Sequence, residues 1–316
     1  MLAQRLALPV AWLGVIALFG ALEPDTFLTS ANFQGIFGSQ AVLVVATLGL
    51  LFPLTAGDYD LSIASTLTLA AMVVALLNAE HGWPVGLAIV AALAAAAIVG
   101  IVNGALVALL DLESLVVTLG SGTFVSGVVL WISDSNTIGG ISDALVDPVI
   151  AWELLGIPLA FFYGVALCAG VWYVFEYTPL GRRLLFAGRG REVARLSGVR
   201  VGRVRFGALC ASAVIAGGAG VLYAGTTGSA DPSSGASFLL PAYAAAFLGA
   251  TTIVPGRFNP WGTIVAVYFL VTGVTGLQLL GVESFVQQLF YGGALILAVV
   301  LSRLAPRITP GEPARG

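Results

Sequence analysis

The sequence contains no lysine, one histidine and two cysteines, and only 9% of its 316 residues are charged. A soluble domain devotes about a quarter of its residues to charge in order to cover its surface, so a water-soluble globular protein is excluded. The lone histidine, His81, lies in the connection "NAEHGWP" without a cysteine or histidine beside it, which builds neither a metal site nor a nucleophile–base pair. Cys168 and Cys210 sit in different apolar runs, and no structural disulfide is expected. The glycine-rich stretches "GSGTFVSG" (120–127) and "GRGREVARLSG" (188–198) do not follow a strand and open a helix as a phosphate-binding loop does. No cofactor, metal or ATP site is therefore expected on this chain. A net charge of −3, with Asp134, Asp143, Asp147 and Glu153 in the connections, offers no nucleic-acid surface.

What the sequence has in excess is hydrophobic residues, 59% of the total. Apolar segments lie near 8–22, 38–56, 61–77, 84–110, 115–132, 155–175, 206–225, 238–253, 261–281 and 284–302, and several approach or exceed the roughly 20 residues that cross a bilayer. The expected fold class is all-α, a polytopic integral membrane protein with about ten transmembrane helices, forming one membrane domain over 1–316 with no separate soluble unit. Arg5 before the first segment and small residues after it also fit a cleaved signal. The distribution of charge favours an uncleaved span. Eight of the 13 arginines fall between Arg182 and Arg205, and alternation of ten spans brings Arg5, Arg257, Arg303, Arg307 and Arg315 to the same side. Positive charge collects on cytoplasmic loops, so both termini are expected there.

The basic connection, 176–206, is more than a polar link. Pro179 can open a helical turn, and Leu184, Leu185 and Ala187, then Val193, Ala194 and Leu196, recur at near-helical spacing among the arginines. Such a segment can simply set topology, lie on lipid headgroups or dock in a partner's cleft.

Two carboxylates interrupt the apolar pattern in "GDYDLSIAS" (57–65). A charge left at the bilayer centre costs on the order of 2.5–3.5 kcal/mol, so Asp58 and Asp60 must face protein, water or a helix end. Gly57 permits a break, and Asp60 before Leu61 and Ser62 suits a helix cap. Transporters line their paths with broken helices, so Asp58, Asp60, Ser62 and Ser65 are candidate path residues. Capping and solute contact both remain open for Asp60. A faint internal echo relates "LGLLFPLTAG" (48–57) to "LGATTIVPG" (248–256).

Five motifs occur in order: "GDYDLSIAS", "NGALVALLDLESLVVTLGSG" (103–122), "GRRLLFAGRGREVARLSGV" (181–199), "GSADPSSG" (228–235) and "GRFNPWGTIVA" (256–266). In these the chain resembles, over about residues 40–302, the permease subunits of ribose-type ABC sugar importers, relatives of the branched-chain amino acid permeases. The resemblance implies a type II importer-like arrangement in a bacterial inner membrane. Two permease subunits, identical or paralogous, enclose one path, a soluble solute-binding protein delivers a small polar solute, and a separate ABC subunit hydrolyses ATP. It implies a monosaccharide or polyol as solute and no covalent chemistry on this chain. The positions matching the family's coupling region are Gly181, Ala187, Gly188, Glu192, Ala194, Leu196, Ser197 and Gly198. Outer connections 133–154 and 226–237 would meet the binding protein, and the spans around 57–65 and 228–263 would open and close the path. The chain departs from the family pattern at Asp58 and Ala64, where glycine is usual, and at Leu239 and Pro241, where acids are frequent. The alternatives are a branched-chain amino acid ABC permease, an ion-coupled secondary transporter, and a membrane enzyme using outer-loop acids.

Overall fold

A bilayer offers no water to unpaired amides, so a spanning chain must close its backbone hydrogen bonds within helices. The computed structural model, which describes residues 2–283 and 285–304, is built that way. Arg307 and Arg315, counted above toward topology, lie outside the described residues. Helix α1 (Leu2–Leu22) and the short α2 (Pro24–Phe27) lead into α3 (Ser30–Ser39) and α4 (Ala41–Ala56), separated only at Gln40. Helix α5 (Ile63–Ala75) widens into a π-type turn over Leu76–Glu80, and α6 (Val85–Leu109) and α7 (Ser114–Ile132) follow. The next connection carries β1 (Ile138–Gly139), α8 (Asp143–Val146), and a hairpin of β2 (Glu153–Leu154) with β3 (Ile157–Pro158). Beyond it come α9 (Leu159–Tyr177), α10 (Pro179–Arg189), α11 (Arg191–Leu196), α12 (Val201–Thr227), β4 (Ser229–Ala230), α13 (Ala236–Gly249), α14 (Pro260–Leu279) and α15 (Phe285–Leu304). Among the described residues, eight helical stretches are long and apolar enough to span a membrane, and Ala236–Gly249 and Phe285–Val300 are shorter apolar helices.

Helix α4 forms the axis of the bundle. Its sequence is apolar all round, which suits an enclosed helix, and every residue from Ala41 to Ala56 is buried. It packs against α9, α10, α12, α13 and α14. By contrast, α6 and α7 bury one face and leave Leu87, Val90, Ile98 and Phe124 exposed, the pattern of helices that face acyl chains. The apolar force that packs a soluble core is weak between helices in lipid, so close backbone approach has to supply the packing. Helix α12 does this with small residues. A Cβ on Gly217 would stand 2.6 Å from Ala96 Cβ, one on Gly220 would overlap the Leu67 carbonyl, and one on Gly100 would meet Cys210 Cα at 2.9 Å.

Helix α1 docks on α14: Trp12 Nε1 donates to Thr272 Oγ1 at 2.9 Å and its ring stacks on Tyr268. On the face opposite the basic connection, β1 and β4 pair antiparallel, Ile138 with Ala230. Thr137 Oγ1 donates to Asp231 Oδ2 at 2.8 Å across the same junction. Hydrogen bonds from the Ser233 hydroxyl and amide, then from Thr137, hold the Asp231 carboxyl below the usual carboxylate range. These two connections are thus one unit.

A paired substitution checks the packing of α12. Gly220→Ala should destabilise the detergent-solubilised protein by about 1–3 kcal/mol, the usual cost of overpacking. Gly218→Ala, two residues along where nothing lies within 4 Å, should leave it unchanged or raise it by about 0.5–1 kcal/mol. Melting temperatures of the two variants measure the difference.

Candidate functional site

The site grows from the end of α4. Gly57 takes φ +80° and closes the helix, with the Gly57 amide on Leu54 O and the Asp58 amide on Pro53 O. Residues 58–62 are non-helical yet buried at Asp58, Asp60 and Ser62, which a membrane protein tolerates only if other parts of the protein satisfy the backbone. Hydroxyls from two other helices supply those partners. Ser114 Oγ and Thr118 Oγ1 of α7 accept from the Tyr59 and Leu61 amides at 3.1 and 3.0 Å, and Tyr243 OH of α13 accepts from the Asp60 amide at 3.0 Å. Gly122 permits the approach of α7, since a Cβ there would sit 3.3 Å from Ser62 Cα.

The two carboxylates point to different neighbours. Asp60 Oδ1 accepts from the Ser62 amide at 3.0 Å and the Ser62 hydroxyl at 2.5 Å, and Ser62 Oγ accepts from Asn103 Nδ2 of α6 at 2.9 Å. This is a cap-like turn into α5, tied to a third helix. Asp58 instead meets the basic connection. Arg205 grips both its oxygens, Nε to Oδ2 at 2.8 Å and Nη2 to Oδ1 at 2.9 Å, and Arg191 adds Nη2 to Oδ1 at 2.9 Å. Arg205 also donates to Asp111 Oδ1 at 2.9 Å and to Val107 O at 3.3 Å, while Arg191 reaches Gly57 O at 3.1 Å. Asp58 therefore compensates buried charge, and both of its oxygens are engaged by guanidinium groups.

The eight coupling-region positions divide into two sets. Gly181, Ala187 and Ala194 are buried, and Gly188 stands against the end of α4, where a Cβ would overlap the Thr55 carbonyl and lie 3.1 Å from Gly57 N. Thr178 caps α10 through the Gly181 amide. Glu192, Leu196, Ser197 and Gly198 are exposed, with Leu196 80% exposed and Val193 beside them. Gly198 takes φ +82° to end α11. Its neighbours close that turn, Val199 N donating to Ala194 O at 3.0 Å. One face of the connection grips the break in α4–α5 and the other is bare.

Ser65 faces a cavity of about 420 Å³ between α5, α7 and the start of α13. Thr68, Thr123, Ser126 and Ser233 also line it, and no charged side chain does. Each hydroxyl proton already has an acceptor: Ser62 O for Ser65, Ala64 O for Thr68, Leu119 O for Thr123, Gly122 O for Ser126 and Asp231 Oδ1 for Ser233. Thr68 Oγ1 also accepts from the Gly235 amide at 3.0 Å, and the remaining lone pairs of these oxygens are what is left for a visitor. Of the four candidate path residues, Ser65 lines this cavity, Asp60 and Ser62 lie behind it in the wall, and Asp58 is turned away onto the arginines.

Sequence reasoning did not identify Arg191, Arg205, Ser114, Thr118 or Tyr243 as site residues. A buried Asp58 needs a cation, and with eight arginines between 182 and 205 that need was the one available signal.

A family model described as "Branched-chain amino acid transport system / permease component" matches residues 32–299. The chain is similar to the D-allose transport system permease protein of Escherichia coli K12, 31% identical over 290 residues that cover 92% of this chain and 89% of the relative. It is 29% identical to the ribose import permease protein of Bacillus subtilis, over 93% of this chain and 92% of that one. Against the L-arabinose ABC transporter permease protein of Azospirillum brasilense the figures are 28%, 96% and 88%. No solved structure matches the chain.

The cap at Asp60 can be separated from its charge. Asp60→Asn keeps an oxygen for the Ser62 amide and should melt within about 0.5 kcal/mol of the parent, whereas Asp60→Ala loses the acceptor and should cost about 0.5–2 kcal/mol. Thermal melting in detergent compares them.

Proposed function

The chain belongs to the branched-chain amino acid transport system permease family, and from that membership we propose that it is the membrane-spanning subunit of an ATP-driven importer for a monosaccharide or related polyol. The observation that carries this reading is the uncharged cavity at the α4–α5 break, in which five hydroxyls stand among apolar side chains such as Leu61, Leu119 and Leu239. A sugar arrives with many O–H donors, and the cavity presents acceptors whose own protons are already bonded. An amino acid would bring an ammonium and a carboxylate, and no ionised side chain stands in the cavity to receive either. Its volume lies within the range of small-molecule sites, about 300–1,000 Å³. The named sugars of the similar permeases support the same solute class.

Energy enters from elsewhere. An ABC subunit that binds and hydrolyses ATP seats on the exposed face of α11, where Glu192, Val193 and Leu196 project. Movement of α10 and α11 passes to the break through two joints, the backbone contact of Gly188 with Gly57 and the ion pairs from Arg191 and Arg205 to Asp58. The break then shifts the α5 wall of the cavity, so the cavity opens to one side and then the other. A solute-binding protein delivers on the face carrying the joined β1–β4 connections. A second permease subunit completes the path. The basic connection and both termini face the cytoplasm of a bacterial cell, and the membrane is its inner membrane. An ion-coupled transporter would have no use for a bare docking face beside the break.

Uptake into vesicles holding the chain with its ABC subunit and binding protein tests the reading. Labelled aldoses should accumulate only with ATP, and leucine should not. Thr123→Val and Ser126→Ala, each removing one acceptor worth about 0.5–1.5 kcal/mol, should each raise the KM for the sugar roughly two- to tenfold with little change in the maximal rate. Leucine uptake, or sugar uptake without ATP, contradicts the proposal.

A further inference from the structure

Two cavities adjoin where α6 ends and α12 begins, at the membrane boundary on the basic side. The first, about 470 Å³, is bordered by Arg183 of α10 and by Arg200 and Arg203. The second, about 630 Å³, is lined by Leu109, Val201 and Phe206 together with Arg195, Arg200 and Arg203. They share a wall formed by Gly198, Val199, Arg200 and Arg203. Among the described residues, none of Arg183, Arg195, Arg200 and Arg203 forms an ion pair with a carboxylate, whereas Arg191, Arg205 and Arg257 all do. A polar, cationic chamber thus lies against a second, more apolar one that is itself bordered by Arg195, Arg200 and Arg203, beside the exposed Leu109 and Leu110 at the foot of a lipid-facing helix.

The geometry points to a binding site for an anionic phospholipid of the leaflet on the basic side, its phosphate between Arg183, Arg200 and Arg203 and an acyl chain laid along Leu109 and Phe206. This site goes beyond transport and stands on its own observations. Guanidinium groups meet phosphate oxygens in a fork that a choline-bearing lipid, with no net charge, rewards less. A basic pocket between spans on the side where positive charge collects is where anionic headgroups are bound. A free phosphate has no use for the second chamber. Of the bare coupling-region positions, Ser197 and Gly198 border the first cavity and Gly198 the second, whereas Glu192, Val193 and Leu196, the proposed seat of the ABC subunit, line neither.

Native mass spectrometry of the full chain, released from nanodiscs of equal phosphatidylglycerol and phosphatidylcholine, reads the occupancy directly. The parent should retain phosphatidylglycerol in preference to phosphatidylcholine. Each arginine on a headgroup contributes about fivefold, so R200Q/R203Q should lose that preference by roughly 25-fold. R182Q/R189Q, with the same loss of charge from exposed positions outside both cavities, should keep it. Equal loss in the two double variants overturns the site in favour of diffuse surface charge. Displacement of the retained lipid by glycerol phosphate overturns it in favour of a free anion, and displacement on adding the ABC subunit assigns the arginines to that subunit instead.

Discussion

The carboxylate of Asp58 ties the α4–α5 break, the basic connection and the start of α12 to one another. An ion taken out of water must be paired, and removing one member of a buried pair costs about 3–5 kcal/mol, so wherever Asp58 goes an arginine must follow. Arg205 follows from the second turn of α12 and Arg191 from the start of α11. Arg205 in turn is held by Asp111 and the Val107 carbonyl at the end of α6. One anion thereby brings the α4–α5 break, the basic connection and the ends of two spans to a single point. The Gly57–Gly188 contact, with Gly188 Cα 3.3 Å from where a Cβ on Gly57 would stand, is possible because neither residue has a side chain.

Seen from this joint, the break has two working faces. Toward the basic side it offers Asp58, and toward the opposite side it offers the uncharged cavity wall that begins with Ser65. Between them the backbone is non-helical but satisfied by Ser114, Thr118 and Tyr243, so it can be displaced as a unit without exposing amides to lipid. Helix α4, buried along its whole length, is the fixed post against which that displacement would occur in the proposed mechanism. Exposed Glu192, Val193 and Leu196 are where the proposed ABC subunit would push.

How much of this the sequence disclosed follows from the physics of each feature. The bilayer demands long apolar helices, so hydropathy found α6, α7, α12 and α14 within a few residues. It missed α3 because Ser30, Asn32 and Gln34 lower the hydropathy there, and Asn32 spends its amide on the Phe27 carbonyl at 2.7 Å. It began the 155–175 segment inside the Glu153–Pro158 hairpin, where Leu155 at φ 57° and Gly156 at φ 73° precede α9. The cost of burying Asp58 was legible, but its partners lie more than 130 residues away in sequence, and no local pattern reports such a distance. Tyr243, Ser114 and Thr118 look like ordinary helix residues until the fold aims them at the break. The split of the coupling positions into a gripping set and a bare set likewise depends on where α4 sits.

The joint itself is tested most directly at Arg191. Its side chain is 46% exposed, so Arg191→Gln removes one link to Asp58 and Gly57 while the buried Arg205 pair remains, at a stability cost of about 0–1 kcal/mol. The decisive quantity is the number of solute molecules imported per ATP hydrolysed by the assembled transporter in vesicles. If the ion pairs transmit the movement, Arg191→Gln assembles, hydrolyses ATP at a rate close to the parent's and imports several-fold less solute per ATP. An unchanged ratio in a variant that has lost this link would contradict the account.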